Sequence, residues 1–181
     1  MNGTIINPII KDRVTFMQTA ADTNGRITTL QVTLMPGGGT PPHYHKNFSE
    51  TFVVTEGVLT IGLKHKTISL DAGKKLTVEA GQVHRFSNES SLPVVFTTVI
   101  VPGSEGFEYA LRILYGLAAD GKTDQKGMPK NLLALAVVSK ISDMRPAGAG
   151  ALMTPIFGLL NFIASVSGFY KKLLNRYCKN Q

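Results

Sequence analysis

The first hundred residues alternate between short apolar runs and turn residues, which is the pattern of an all-β domain. The apolar runs are rich in Val, Ile, Thr and Phe, and glycine-containing turns such as Asn24-Gly25 separate them. Short strands at this spacing are typical of an antiparallel sandwich or barrel. We predict strands over 26–35, 51–63, 66–70, 74–79 and 92–101.

Beyond residue 103 the apolar positions follow the period of a helix instead of a strand. From Phe107 to Ala118 they recur three and four residues apart, which predicts an amphipathic helix. A second helical stretch covers 132–141. A third begins with Thr154 and Pro155 as N-cap and first helical residue, and we expect it to end near residue 177.

The two halves of the chain also differ in charge. Residues 1–103 hold 9 basic and 7 acidic residues, whereas residues 104–181 hold 10 and 5, within a formal net charge of +7. The basic residues are scattered, and no nucleic-acid module is recognisable, so we expect no nucleic-acid partner. We predict a β domain over 1–103 and an extension of about three helices over 104–181, packed on the β domain or at a dimer interface.

Residues 151–170 are twenty consecutive positions without a charge, about the length that spans a membrane. Pro155 shortens the helical part, and polar residues recur every three or four positions from Asn161 to Lys179. One polar stripe on an otherwise apolar helix favours packing against protein, for instance in a homodimer. Contact with a membrane surface, through basic residues in the last turns, stays open as the alternative.

The sequence carries few indications of cellular location. The first ten residues contain neither a charge nor a long apolar run, so no targeting signal is recognisable. Cys178 is the single cysteine, which excludes an intramolecular disulfide. We therefore expect a reducing, cytoplasmic location.

Four residues of the β domain have side chains that bind metal ions: His43, His45, Glu50 and His84. Residues two apart share a face of a strand, so the first two histidines can point into one cavity. Taken singly, each residue has an ordinary structural explanation in a turn, a core or a strand start. Together, three imidazoles and a carboxylate suit one divalent ion, and Fe, Mn, Ni, Co, Zn and Cu all accept this set.

The spacing of these residues resembles the two motifs of the cupin family. Gly37-x5-His43-x-His45-x4-Glu50-x6-Gly57 matches the first motif, and Gly73-x5-Glu79-x-Gly81-x2-His84-x3-Asn88 matches the second. Glu79 stands where the family usually has a proline, which affects a turn and not the ligands. The resemblance covers residues 26–102. It implies a mainly β fold, a single antiparallel jelly-roll-like β-barrel, with a metal ion bound by His43, His45, Glu50 and His84.

The tail and the pocket add two weaker expectations. Residues 111–140 are similar to the helical extension of some bacterial single-barrel cupins. Phe52, Val54 and Phe86 lie two or four positions after a candidate ligand, which places them on the same face of a strand. Phe48 lies on the loop between His45 and Glu50. These four are candidate walls of a pocket for an apolar or aromatic substrate, although core packing is the expected role of at least half of them.

The resemblance does not select a reaction, since cupins include dioxygenases, isomerases, decarboxylases and binding proteins. We expect a metal-dependent oxidoreductase, a quercetinase-like dioxygenase, in which the metal ion binds a small chelating substrate. Glu50 is the candidate catalytic residue, because it can remain a ligand or move away and accept a substrate proton. A non-catalytic small-molecule binding or sensing protein, or an isomerase, remains the alternative.

Overall fold

The computed structural model describes residues 3–147 and 154–179, and within these ranges the chain forms eleven strands and four helices. The strands are Thr4–Asn7 (β1), Asp12–Gln18 (β2), Thr28–Leu34 (β3), His43–His45 (β4), Ser49–Glu56 (β5), Val58–Leu63 (β6), Thr67–Asp71 (β7), Lys75–Val78 (β8), His84–Ser87 (β9), Val94–Val101 (β10) and Met144–Pro146 (β11). The helices are Glu105–Ala119 (α1), Leu132–Ile141 (α2), Thr154–Val166 (α3) and Phe169–Tyr177 (α4).

The strands form two antiparallel sheets with one hydrophobic core between them. One sheet has six strands in the order β1-β2-β3-β10-β5-β8, and the other has five in the order β11-β4-β9-β6-β7. Among the described strands none is hydrogen-bonded across the two sheets, so the arrangement is a jelly-roll sandwich and not a closed barrel. The predicted mainly β, jelly-roll-like fold with a helical extension is therefore confirmed.

Strict alternation of side chains builds the core of the sandwich. In β3 the inward residues Thr28, Leu30, Val32 and Leu34 are buried, and their neighbours are more exposed. Phe52 and Phe96 are fully buried at the centre, 6.0 Å apart between ring centroids. Burial of one such side chain is worth about 1.5–3 kcal/mol, so the sandwich is stabilised mainly by these rows.

Tertiary contacts create strands that the sequence pattern did not predict: β1, β2, β4, β9 and β11. β4 and β9 have only three and four residues, too few for a period to be recognised. The predicted strand over 51–63 is divided into β5 and β6 at Gly57. That glycine has a φ of +76°, and a Cβ atom there would lie 2.8 Å from the Pro93 carbonyl oxygen.

Helix α1 is part of the sandwich as well as of the extension. It begins at Ser104, whose side chain accepts a hydrogen bond from the Phe107 amide at 3.2 Å. The buried Glu108 carboxylate accepts hydrogen bonds from the Ala20 amide at 2.6 Å and from the Thr28 hydroxyl at 2.5 Å. Phe107 and Tyr115 belong to the core between the sheets, so α1 is held on the sandwich by polar and apolar contacts together.

The other helices pack on the far side of α1 around a second apolar cluster. This cluster includes Ile113 and Leu117 of α1, Val137 of α2, and Leu173 and Tyr177 of α4. The extension also returns to the sandwich, because β11 pairs with β4 and places Met144 opposite His45. A segment from the tail therefore forms the edge strand beside the strand that carries two of the candidate ligands.

The predicted last helix is divided into two helices, α3 and α4. One residue of its polar stripe, Asn161, faces inward. Gly168, with a φ of +71°, separates α3 from α4. On α3, Asn161 donates hydrogen bonds to the Ala136 carbonyl of α2 at 3.0 Å and to the Phe157 carbonyl at 2.8 Å. In the part of the chain that the structure describes, no helix has both the length and the apolarity needed to cross a membrane. Residues 151–153 of the uncharged stretch lie outside the described residues.

Candidate metal centre

The four candidate ligands meet between the two sheets. His43 and His45 lie on β4 and His84 on β9, directly opposite His43, while Glu50 comes from β5 of the other sheet. One ligand atom from each residue lies within 4.8 Å of the others, and all four residues are at most 5% exposed. Alternation along β4 and β5 turns these side chains inward, which produces the cluster that the sequence predicted.

Backbone carbonyls orient two of the imidazoles. His43 Nδ1 lies 2.8 Å from the Pro41 carbonyl oxygen, and His84 Nδ1 lies 3.0 Å from that of Gln82. When Nδ1 carries the proton and donates it to the carbonyl, the Nε2 lone pair is free to bind a cation. Hydrogen bonds of this kind commonly fix the ring orientation of metal-binding histidines.

His45 supplies the observation that tests whether a metal ion fits. Both of its ring nitrogens are buried and have no hydrogen-bond partner among the described residues. Its Nε2 lies 3.3 Å from Glu50 Oε2, but the two atoms are not aligned as a hydrogen bond. A buried polar group without a partner costs about 1–3 kcal/mol, and a cation at the cluster would satisfy the Nε2 atom that lies near Glu50.

The contact between Glu50 and His84 also indicates that a cation fits the cluster. Their Oε2 and Nε2 atoms are 2.9 Å apart, and with the Nδ1 proton donated to Gln82 both atoms are acceptors. A proton or a metal ion must then lie between them. Burial acts to raise the pKa of Glu50, but the His45 and His84 imidazoles outweigh it and hold that pKa below its usual range. The carboxylate is therefore ionised at neutral pH, as a metal ligand must be.

The histidines divide into two electrostatic environments. Burial, together with the nearby His84, lowers the pKa of His43 to about 4, so this imidazole is neutral at pH 7. For His84 burial acts to lower the pKa, but the Glu50 carboxylate outweighs it and the pKa is raised. An uncharged His43 and an anionic Glu50 have the donor character that a divalent ion requires, and the residues fit such an ion.

Beside the cluster lies a cavity of about 100 Å³, lined by His43, His45 and Glu50. Its remaining walls come from both sheets and from α1 and are mainly apolar, including Val14, Leu30, Val32, Phe86, Leu111 and Leu114. A ligand in this cavity would therefore contact the metal centre on one side and apolar side chains along most of its surface.

The candidate wall residues take three different positions. Phe86 lines the cavity, whereas Phe48, Phe52 and Val54 are not part of the lining that the structure describes. Phe48 stacks on His45 with ring centroids 4.3 Å apart, and thereby holds that imidazole in place. Phe52 and Val54 are buried in the core between the sheets.

The second motif keeps its turn without the usual proline. Glu79 is exposed, and its amide and carbonyl bond to Gln82 at 3.3 Å and 3.0 Å. The buried Asn88 donates hydrogen bonds to the Leu34 and Leu92 carbonyls at 2.9 Å and 2.8 Å. His84 is therefore anchored on both sides.

Several residues at the site lie outside the two motifs, and sequence reasoning missed their roles. Phe107 meets His45 edge to face at 5.8 Å between ring centroids. Asp143 accepts hydrogen bonds from the Lys46 and Asn47 amides, both at 2.7 Å, and so holds the loop between His45 and Glu50. The apolar stripe of α1 was the signal for Phe107. No local signal pointed to Asp143, which lies almost a hundred residues from the loop it binds.

A sequence model of the cupin domain family matches residues 30–100. No curated protein matches the chain.

Three solved structures have a similar fold. A predicted oxalate decarboxylase from Thermotoga maritima is 17% identical over 56% of this chain and 92% of its own, with a TM-score of 0.49. A sugar phosphate isomerase of the cupin superfamily from Silicibacter pomeroyi is 20% identical over 55% and 71%, with a TM-score of 0.49. A polyketide cyclase from Streptomyces resistomycificus is 22% identical over 50% and 65%, with a TM-score of 0.46. Sequence identities and TM-scores as low as these do not indicate which reaction, if any, this chain catalyses.

Proposed function

We propose that the protein is a metal-dependent dioxygenase of the cupin type, acting on a small, apolar or aromatic, metal-chelating substrate, because residues 30–100 match the model of the cupin domain family. One observation carries this proposal: three of the four candidate ligands, His43, His45 and Glu50, form one side of a mainly apolar cavity. A substrate in the cavity would lie against the metal centre.

The ligand set determines what chemistry is available. An octahedral divalent ion held by four protein ligands keeps two further positions, and when bound it would act as a Lewis acid for a chelating substrate and bring it together with O₂. The chain contributes orientation, because the Pro41 and Gln82 carbonyls hold two imidazoles and Phe48 stacks on the third. The apolar walls exclude water from the reacting groups.

Glu50 has a second role as the proton acceptor. It is ionised at neutral pH because the adjacent imidazoles hold its pKa low, so it is a weak base while it faces His84. Movement of the carboxylate away from His84 would remove that stabilisation and raise its basicity. The enol or hydroxyl proton of a chelating substrate could then pass to Glu50 Oε2.

Oxygen consumption by defined metal forms tests the proposal. We would load the protein separately with Fe(II), Mn(II), Ni(II), Co(II), Cu(II) and Zn(II), measure the metal content, and follow O₂ with an electrode in the presence of flavonols, diketones and phenols. At least one of the redox-active forms should consume O₂ with one substrate class. If every form binds its metal and none consumes O₂, the dioxygenase assignment is wrong, and a binding protein or an isomerase is favoured.

The matched variants are His45→Ala and His65→Ala. His65 is exposed in the bend between β6 and β7 and makes no contact with the cluster, so its loss should leave oxygen uptake unchanged. Loss of His45 should abolish uptake together with metal content. Uptake that survives in His45→Ala would show that the activity arises elsewhere.

A further inference from the structure

Asp12 is a second carboxylate on the wall of the cavity, and it lies outside both motifs. It is 5% exposed and starts strand β2. Its Oδ2 accepts a hydrogen bond from the Tyr115 hydroxyl of α1, which is itself buried. Its Oδ1 is buried and has no hydrogen-bond partner among the described residues. One oxygen of this carboxylate is thus held in place, and the other is left to bind a donor.

The spacing of residues along helix α1 places Asp12 and the candidate metal centre at opposite ends of the cavity. Phe107, Leu111, Leu114 and Tyr115 of α1 all line the cavity, so the helix lies along it. Phe107 contacts His45 at one end, and Tyr115 contacts Asp12 at the other. Eight residues at 1.5 Å each separate the positions of Phe107 and Tyr115 along the helix axis by about 12 Å.

The sheet register agrees with this placement. Glu50 pairs with Ile100, which pairs with Thr28 at the start of β3, whereas Asp12 pairs with Leu34 at the end of β3. The two carboxylates therefore belong to opposite ends of the same sheet. Between them the cavity walls are mainly apolar, including Val14, Leu30 and Val32.

We propose that Asp12 recognises the far end of the ligand, so that the cavity takes an elongated small molecule with a chelating group at the metal centre and a hydroxyl group that donates to Asp12 Oδ1. This inference rests on the proposed function in treating the cavity as the substrate site. It adds the length of the substrate, its apolar middle and its polar terminus. Tyr115 is the positioning residue, since it orients the carboxylate through Oδ2.

The charge of the surroundings selects a hydroxyl group over an ammonium group. Lys126, from the loop after α1, also lines the cavity and would repel a cationic terminus. Burial outweighs the Tyr115 hydrogen bond and raises the pKa of Asp12 to about 7, so the carboxyl exchanges protons near neutral pH. A hydroxyl group can donate to the ionised form and accept from the protonated form.

A buried water is the competing explanation for the unpartnered oxygen. Asn7 lies opposite Asp12 in the β1–β2 pair, and its Nδ2 is also buried without a partner among the described residues. A water between Asn7 Nδ2 and Asp12 Oδ1 would satisfy both groups and leave Asp12 with a purely structural role. The test must therefore separate ligand recognition from stabilisation of the fold.

The probes are 2,4-diketones with unbranched alkyl chains that end in either a methyl or a hydroxyl group. Their affinities would be measured by calorimetry on the metal-loaded protein in the absence of O₂. We expect the hydroxyl compound to bind at least tenfold more tightly than its methyl partner at the chain length that spans the cavity, with a smaller ratio for shorter chains. Equal affinities at every length would overturn the proposal, as would the absence of binding by both series.

The decisive variant is the double substitution Asp12→Leu with Tyr115→Phe. Replacing both partners of the Asp12–Tyr115 hydrogen bond by apolar groups leaves neither of them unsatisfied, so the fold should be retained. The preference for the hydroxyl compound should disappear, so that the two compounds bind with equal affinity. Asp71→Asn, at an exposed carboxylate on β7, is the control.

A tenfold preference that persists in the double variant would overturn the proposal and favour the water between Asn7 and Asp12. Because the readout is binding without O₂, the result does not depend on turnover. Lack of oxygen uptake would refute the dioxygenase function and leave this measurement intact.

Discussion

The candidate metal centre and helix α3 depart from the usual distribution of polar and apolar groups in opposite directions. The centre buries three imidazoles and a carboxylate, each at most 5% exposed. On α3 five large apolar side chains are 39–67% exposed: Ile156, Leu159, Phe162, Ile163 and Val166. Buried polar groups and exposed apolar patches are the informative exceptions to burial rules, because each has a free-energy cost that a partner can remove.

The two regions are suited to different kinds of partner. The buried cluster has the donor set of a divalent cation. Helix α3 carries no charged residue, and its polar contact through Asn161 is made inward to α2. An uncharged apolar face fits a second copy of the chain better than an anionic lipid surface, so the homodimer remains our proposal for this helix.

The largest expected effect is the loss of metal from the buried cluster. His45→Ala should reduce bound metal from about one ion per chain to almost none, while His65→Ala retains it. Metal removal by a chelator should lower the melting temperature of the unmodified protein by about 5–10 °C, as expected for a ligand bound well above its Kd. Elemental analysis and calorimetry would measure both effects. Full metal content in His45→Ala would contradict the ligand assignment.

Deletion of α3 and α4 tests whether the remaining protein stays folded and soluble without them. Deletion of residues 152–181 would take away α3 and α4 and uncover apolar groups such as Ile113 and Leu117 in the second cluster. The truncated protein should aggregate. Light scattering would measure this, and a soluble truncated protein with an unchanged oligomeric state would show that the tail is dispensable.

A third test concerns the cost of burying Asp12. Its pKa is about 7 in the folded protein and about 4 in an unfolded chain, so between these values the folded state binds more protons. The protonated carboxyl group therefore gives its full stabilisation below about pH 4. The free energy of unfolding should fall by about 2–4 kcal/mol as the pH rises from 4 to about 7. Urea unfolding at several pH values should show this slope, and Asp12→Asn should reduce it. An equal slope in the variant would assign it to other groups.

Asp143, which follows α2, holds the loop between His45 and Glu50, and its removal should have an intermediate effect. Asp143→Ala leaves the Lys46 and Asn47 amides without their acceptor, which should destabilise the fold by about 1–3 kcal/mol. Metal affinity should fall about 10- to 100-fold, as for other residues that orient ligands. Metal titration would measure the change. Unchanged affinity together with lower stability would limit Asp143 to a structural role.

The smallest effect is expected on the outer face of α3. Phe162→Ser should weaken self-association about tenfold with little change in unfolding, because the side chain is 64% exposed. Ser165→Ala on the same helix is the control, and sedimentation equilibrium would measure the dimer. If the unmodified protein is monomeric and floats with vesicles of anionic lipid, the membrane alternative is correct and the homodimer is wrong.

The sequence predicted the four-residue cluster better than it predicted the strands that carry it. His43, His45, Glu50 and His84 lie at motif spacings within about forty residues, and these spacings were sufficient. Strands β4 and β9 could not be predicted from their own residues, since three or four positions are too few to establish an alternation. The motif therefore specified the site, and pairing with longer strands formed the secondary structure around it.

Sequence alone determined the β domain, the helical extension and the four candidate ligands, because alternation, helical period and motif spacing are local properties of a chain. Tertiary structure decided where Asp12 and Tyr115 meet, why Asp143 holds a loop near residue 46, and which side of α3 is exposed. These contacts join residues 25 to 103 positions apart. Local patterns report which side of an element is apolar, but only packing determines what each side meets.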